Sequence, residues 1–183
     1  MRTLVLGGVR SGKSRYAEGL AGAAAGRHTV IATGTAGDKE MTVRIAAHRA
    51  QRPAHWCVIE EPLHLARALV RAAAPESVIV VDCLTLWLTN LLCHADPLLL
   101  ESEVEALMAL LAALPGTQIL VGNEVGLGVM PVNDLARRYA DVAGTVHQRL
   151  AAICDHVILM VARLPMMVKS PEGTEQAPHR SRQ

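Results

Sequence analysis

Aromatic side chains are scarce in this sequence. Its 183 residues include no phenylalanine, two tryptophans and two tyrosines. Proteins that bind single-stranded nucleic acid without sequence preference stack bases on aromatic side chains, so the composition argues against that class. A formal net charge of +1 also gives no broad basic surface for a polyanion. We therefore expect no nucleic-acid partner.

Cysteine is rare too, and its spacing fits neither a metal site nor a disulfide framework. No C-x-x-C pair is present, and the histidines show no metal-binding spacing such as H-E-x-x-H. We expect reduced, mostly buried thiols. The cysteines are Cys57, Cys83, Cys93 and Cys154.

Long hydrophobic runs are also lacking. The longest apolar tract, residues 84–93, is interrupted by two threonines and an asparagine and is too short to cross a bilayer. The apolar run at the N-terminus is too short for a secretory leader and continues into glycine-rich sequence. We predict no membrane span and a cytoplasmic location.

Short β-branched runs do alternate with longer helical patterns. This alternation predicts an α/β fold in which helices cover both faces of a mostly parallel sheet. The chain length suits a single domain, which we place at residues 1–169, with a polar and mobile tail at 170–183. A long helix should begin at Asn133 as its N-cap. The predicted strands are residues 3–6, 29–33, 57–60, 77–82, 118–121 and 156–161.

The most informative segment is the octapeptide at residues 7–14, which fits the phosphate-binding loop (P-loop) pattern G-x-x-x-x-G-K-[ST]. Its glycines let successive amide groups converge on phosphate oxygens, and the following helix start favours an anion. The Lys13 ammonium group would bind the β- and γ-phosphates, and the Ser14 hydroxyl would ligate Mg²⁺. The predicted nucleotide-binding residues of the loop are Gly7, Gly8, Val9, Arg10, Ser11, Gly12, Lys13 and Ser14.

Carboxylates follow two of the predicted strands. Asp82 ends an apolar strand, where a P-loop protein places the second group of its metal site, and we favour this interpretation over a cap for the next helix. Glu60 and Glu61 end an earlier strand. Either could accept a hydrogen bond from a ribose or a base edge, but a solvated turn acid is the simpler interpretation.

A basic stripe is predicted on the helix that spans residues 38–52. Arg44, His48 and Arg52 are spaced four apart and therefore lie along one face. Neighbouring positive charge disfavours the imidazolium form, and a neutral imidazole can attack an activated phosphorus atom. Spacing alone, however, favours a solvated basic face.

A glycine-rich segment, residues 123–131, follows the strand at 118–121. It would lie at the carboxyl end of the sheet, where α/β proteins bind ligands. Asn123 and Glu124 suggest a contact with substrate, although a long flexible turn explains the glycines equally well.

Several segments together resemble one family, the bifunctional adenosylcobinamide kinase / adenosylcobinamide-phosphate guanylyltransferase of cobalamin biosynthesis. The resemblance covers about residues 1–169, and two blocks make it specific: Arg-x-x-x-His-Arg-x-x-Arg-Pro and Asn-Glu-Val-Gly. The segments are residues 7–15, 44–49 with 52–56, 81–85 with 89–92, and 123–126 with Pro131 and Asn133.

The resemblance implies two reactions in a homotrimer. ATP or GTP phosphorylates the aminopropanol hydroxyl of adenosylcobinamide, and GTP then transfers GMP to that phosphate, with release of pyrophosphate. In the family a histidine carries GMP covalently, and His48 matches it. Family positions that contact the guanine nucleotide match Ala32, Thr33, Gly34, Arg49, Ala50, Gln51, Arg52, Glu60 and Asp82.

The sequence also departs from the family pattern. Ala47 precedes His48 where some members have two adjacent histidines, Asp82 stands where some carry Glu, and His147 replaces an asparagine common in the long helix. The departure at Ala47 leaves His48 as the single candidate nucleophile.

Two other functions are compatible with a P-loop. A small-molecule or nucleotide kinase without nucleotidyl transfer would retain no covalent label from α-labelled GTP. A GTPase switch would couple slow hydrolysis to partner binding, but the sequence has no Asn-Lys-x-Asp motif for reading guanine.

Overall fold

The computed structural model of the protein describes residues 1–35 and 52–171. Its strands are β1 (Arg2–Gly7), β2 (Arg27–Ala32), β3 (Cys57–Glu60), β4 (Ser77–Asp82), β5 (Thr117–Asn123), β6 (His156–Val161) and β7 (Leu164–Lys169). Its helices are α1 (Lys13–Ala23), α2 (Leu65–Ala72), α3 (Leu84–Leu92), α4 (Leu99–Leu111) and α5 (Asp134–Ile153). The predicted strands are confirmed, three of them with the predicted bounds.

The strands form one sheet in the order β3-β2-β4-β5-β1-β6-β7. Strands β1 to β6 pair in parallel, and β7 is antiparallel to β6. Because parallel strands end at the same edge, the P-loop after β1, the end of β4 and the loop after β5 meet at one edge of the sheet.

Helices cover both faces of the sheet, as predicted. In β4, Ile79 and Val81 contribute to the core packed against α2 to α5. The alternate residues Val78 and Val80 contribute to the core packed against α1. A strand buried on both faces has a continuous apolar sequence rather than an alternating one. The sequence of β4 shows this pattern, so the strand could be predicted.

The long helix α5 begins as predicted. The Asn133 side chain accepts a hydrogen bond from the Ala136 amide, which makes it the N-cap. Among the described helices, none is long and apolar enough to cross a membrane. The predicted tail lies outside the described residues from position 172 onward.

The cysteine prediction is partly wrong. Cys57 and Cys93 are exposed, Cys83 is half-buried, and Cys154 is buried. Cys57 lies on β3, which is an edge strand of the sheet, and edge strands leave side chains in contact with solvent. Burial raises the pKa of the Cys154 thiol to about 12, so this thiol stays protonated.

The hairpin of β6 and β7 was not predicted. Its two turn residues, Ala162 and Arg163, have φ angles of 50° and 69°, the left-handed region that glycine and asparagine prefer. Neither residue signals such a turn, and β7 exposes the side chains of Leu164, Met166, Met167 and Val168. The Arg163 amide donates a hydrogen bond to the Ser11 carbonyl at 2.9 Å, so this turn contacts the P-loop.

We predict that Arg163→Gly raises the free energy of unfolding by up to about 1 kcal/mol. Left-handed backbone costs a non-glycine residue about 1–2 kcal/mol, and the greater freedom of glycine in the unfolded chain offsets up to about 1 kcal/mol of that gain. Urea unfolding measures the difference. Arg163→Ala removes the same guanidinium but keeps the strained backbone, so an equal gain in that variant would contradict the explanation.

Candidate active site

The P-loop joins β1 directly to α1. Gly7 has a φ of 153°, and a Cβ on this residue would lie 2.6 Å from the Met160 carbonyl oxygen, so β6 leaves no room for a side chain. Helix α1 has Gly12 at its N-cap position and no side-chain cap. The first amide groups of α1 are therefore available to an anion.

The Lys13 side chain lies across the loop. Only 8% of this residue is exposed, and its ammonium group donates to the Gly8 carbonyl at 2.6 Å. A buried ammonium group held by the Gly8 carbonyl and near the Ser11 hydroxyl is positioned to bind phosphate oxygens that approach the loop.

Asp82 connects the P-loop helix to the segment that precedes β3. Ser14 Oγ donates to Asp82 Oδ1 at 3.2 Å, and the Arg52 guanidinium donates to Asp82 Oδ2 at 2.7 Å. Arg52 also donates to Glu18 Oε1 at 3.1 Å, and only 6% of its side chain is exposed. The alternative role for Asp82, a cap on α3, is not found, because the N-cap position belongs to Cys83.

The pair formed by Ser14 and Asp82 suits a magnesium ion. Both side chains offer oxygen atoms, which Mg²⁺ prefers, and this ion usually takes one or two protein ligands while phosphates and water supply the rest. The described residues hold no cluster of three His, Cys, Asp or Glu side chains that could bind a metal by themselves. A site completed by a bound nucleotide is consistent with this pattern.

A cavity of about 480 Å³ lies beside Arg52 and is lined by Arg52, Pro53, Ala54, Trp56, Val58 and Glu60. Trp56 stacks on His28 with ring centroids 5.0 Å apart, which holds the indole in place. The cavity thus combines a cation, an aromatic ring and a carboxylate, the groups that recognise a polar planar ligand.

Of the predicted residues at the ends of β2 and β3, Glu60 lines the cavity and Thr33 has a structural role. Ala32 ends β2, and Gly34 follows it closely. The fully buried Thr33 donates through its hydroxyl to the Cys83 carbonyl at 2.7 Å, so its side chain ties β2 to the segment after β4.

Glu61 is a structural residue rather than a ligand-binding one. It accepts hydrogen bonds from the Leu63 and His64 amides and pairs with Arg67. Burial alone would raise the pKa of Glu61, but these hydrogen bonds outweigh burial and lower it. Glu61 is therefore a turn acid, as predicted, but its side chain is only 17% exposed rather than solvated.

The remaining predicted residues are His48, Arg49, Ala50 and Gln51, and they lie outside the described residues, as does Arg44 of the predicted stripe. The structure nevertheless brings Arg52, Asp82, Ser14 and Lys13 to the same edge of the sheet.

A group of polar side chains lies near the end of β5, and apart from the departure at His147 no sequence pattern indicated it. Thr85 Oγ1 accepts a hydrogen bond from the Asn123 amide at 2.8 Å. His147 is buried, and a Cβ on Gly122 would lie 2.9 Å from its Nε2 atom. Tyr139 is partly buried on the same helix. Residues 85, 139 and 147 are interspersed among apolar core residues, so no local pattern sets them apart.

Comparison with known proteins identifies the family. The family described as cobinamide kinase / cobinamide phosphate guanyltransferase matches residues 3–168. The chain belongs to this family. It is therefore a bifunctional enzyme of cobalamin biosynthesis with a kinase and a guanylyltransferase activity.

Two curated relatives match along nearly their whole length. The chain is 56% identical over 169 residues to the bifunctional adenosylcobalamin biosynthesis protein CobP of Pseudomonas aeruginosa, an alignment that covers 92% of this chain and 98% of the relative. It is 41% identical over 182 residues to the bifunctional adenosylcobalamin biosynthesis protein CobU of Salmonella typhimurium, with 92% of this chain and 100% of the relative covered.

Solved structures support the fold alone. The type III secretion ATPase EscN of enteropathogenic Escherichia coli superposes with a TM-score of 0.57 at 16% identity, over 89% of this chain and 43% of that chain. A second solved structure, of a prototypical ATPase from the type III secretion system of pathogenic bacteria, gives a TM-score of 0.52 at 15% identity, over 86% of this chain and 50% of that chain. The chain thus spans half or less of these ATPases and shares their P-loop architecture.

We predict that Asp82→Asn lowers the free energy of unfolding by about 2 kcal/mol. The substitution keeps the side-chain shape but removes the charge opposite the almost fully buried Arg52, and hydrogen bonds to charged groups contribute about 1.5–3 kcal/mol. Urea unfolding measures the loss. Glu105→Gln, which removes an exposed carboxylate paired with Arg149, is the matched control and should leave stability unchanged; an equal loss in both variants would refute the role of Asp82.

Proposed function

We propose that the P-loop edge of the sheet binds the triphosphate for both reactions of this enzyme. The kinase reaction would transfer the γ-phosphoryl group of ATP or GTP to adenosylcobinamide. The second reaction would transfer GMP from GTP to the resulting phosphate and release pyrophosphate. The observation that carries this proposal is the contact between Ser14 of the P-loop helix and Asp82, beside the cavity that Arg52 and Glu60 line.

In this proposal the loop amides and Lys13 hold the β- and γ-phosphates. Their positive charge offsets the negative charge that moves onto the leaving group. Mg²⁺, held by Ser14 and Asp82 together with the phosphates, would shield the remaining charge. The cavity beside Arg52 would take the guanine nucleoside, with Glu60 accepting from the base or the ribose.

His48 is the proposed nucleophile of the guanylyl transfer. A nitrogen–phosphorus bond to the α-phosphorus forms as the bond to pyrophosphate breaks, and the acceptor phosphate then displaces the histidine. His48 precedes Arg52 by four residues, and four residues of chain span at most about 14 Å. This limit allows the His48 imidazole to act near Arg52 and the P-loop.

A homotrimeric assembly and a cytoplasmic location also belong to the proposal. The exposed apolar side chains of β7 support an assembly, because an uncovered apolar edge strand is usually shielded by another chain. Adenosylcobinamide and its phosphate would be the acceptor substrates.

We predict that His48→Ala abolishes GMP transfer and covalent labelling by α-³²P-GTP, whereas GTP binding stays within about threefold of wild type. The imidazole is the covalent carrier in this mechanism but is not needed to hold the triphosphate. Labelling of denatured protein, product mass spectrometry and equilibrium dialysis measure the three quantities.

His94→Ala is the matched control, because it removes an exposed histidine of the loop after α3. It should leave labelling intact. Persistent acid-labile GMP on the His48→Ala protein would exclude this residue as the nucleophile.

We predict that Lys13→Ala reduces both activities by at least about 100-fold, because both reactions use the triphosphate that this ammonium group holds. Rates of phosphorylation and of GMP transfer are measured separately. Arg15→Ala removes an exposed positive charge from the same helix and should change both rates little. Unchanged rates in Lys13→Ala would count against a catalytic P-loop.

A further inference from the structure

The main chain of Glu124 is hydrogen-bonded to Gly7, the first residue of the P-loop. Strand β5 lies between β4 and β1, and Asn123 pairs in register with Gly7. The next amide, that of Glu124, donates to the Gly7 carbonyl at 3.0 Å. Glu124 therefore leaves the sheet beside the phosphate-binding loop.

One oxygen of this carboxylate is fixed, and the other is available. Glu124 Oε1 accepts a hydrogen bond from the Gly126 amide at 2.6 Å, which holds the half-buried side chain in place. Within residues 1–35 and 52–171, no hydrogen bond or ion pair engages Oε2. An ionised carboxylate in this position can accept a proton or a hydroxyl hydrogen bond.

The other carboxylates near the P-loop have structural partners. Asp82 binds Ser14 and Arg52, and Glu18 binds the same arginine. Glu60 lies on β3, three strands away from β5 in the sheet, which corresponds to about 14 Å at the usual strand spacing. Among residues 1–35 and 52–171, Glu124 is thus the carboxylate next to the P-loop that has an oxygen open to a substrate.

The side chains next to Glu124 add no positive charge. Burial lowers the pKa of His147, and the charge of Glu124 only partly opposes this effect, so the ring is neutral. Burial raises the pKa of Tyr139, so the phenol is neutral as well. No lysine or arginine among the described residues pairs with Glu124.

The surface next to Glu124 offers apolar contacts to an acceptor substrate. The loop that follows it exposes Val125, Leu127, Val129 and Met130. The cavity beside Arg52 lies toward the β3 edge of the sheet. Both lie on the same side of β1 in the sheet, the Glu124 loop next to the P-loop and the cavity three strands beyond β5.

We infer that Glu124 is a catalytic residue of the kinase step and binds the acceptor hydroxyl. This inference rests on the proposed function. The hydroxyl oxygen forms a bond to the γ-phosphorus, the bond from that phosphorus to the β–γ bridging oxygen breaks, and the nucleoside diphosphate leaves. The hydroxyl proton passes to Glu124 Oε2 and from there to solvent.

The test compares Glu124→Gln in the two half-reactions. Gln keeps the Oε1 acceptor for Gly126 but cannot take the proton. We expect kcat for phosphorylation of adenosylcobinamide by ATP to fall at least about 100-fold, with KM for adenosylcobinamide within threefold. Transfer of GMP to adenosylcobinamide phosphate supplied ready-made, together with α-³²P-GTP labelling, should stay within threefold of wild type.

Two further variants make the outcome decisive. Glu124→Asp keeps a carboxylate and should recover part of the kinase activity, and the exposed Glu105→Gln should change neither half-reaction. Kinase activity of Glu124→Gln within threefold of wild type, or equal loss of both half-reactions, would overturn the assignment. Inactivity of the wild-type protein in both half-reactions would instead refute the proposed function.

Discussion

The carboxylate of Asp82 is the contact on which the candidate site depends. One of its oxygens accepts a hydrogen bond from the Ser14 hydroxyl at the start of α1, and the other accepts one from the Arg52 guanidinium. Arg52 is almost fully buried, and a buried guanidinium without a carboxylate partner is strongly unfavourable. The negative charge of Asp82 therefore compensates the buried charge of Arg52. It also holds the segment before β3 next to the P-loop.

The parallel sheet makes this contact possible. Residues 14 and 82 are far apart in the sequence, but the strands that precede them, β1 and β4, run in the same direction on either side of β5. Their carboxyl ends lie at one edge, and each crossover returns the chain to the opposite edge. Polar residues that follow different strands consequently converge without any long loop, and the apolar core below them holds their positions.

Sequence patterns predicted the parts of the structure that follow local rules. Strands β4 and β6 are apolar runs buried on both faces, and the N-cap at Asn133 is a local hydrogen bond, so both are readable from the sequence. The β6–β7 hairpin was missed because Ala162 and Arg163 are unusual residues for its left-handed turn. The pairing of Arg52 with Asp82 depends on tertiary structure across 30 residues, which no local pattern encodes.

In the proposed function, Glu124 and the cavity beside Arg52 would serve the two reactions at different distances from the P-loop. Phosphoryl transfer requires an acceptor at the γ-phosphorus, whereas guanylyl transfer requires a nucleophile at the α-phosphorus, and the two atoms lie at opposite ends of the triphosphate. Glu124 and its loop follow β5, the strand next to β1, whereas the cavity beside Arg52 lies at β3, three strands from β5 on the same side of the P-loop. In the proposed function, a triphosphate with its outer end at the P-loop would have its γ-phosphorus near Glu124, and its inner end would extend along this edge of the sheet toward the cavity beside Arg52.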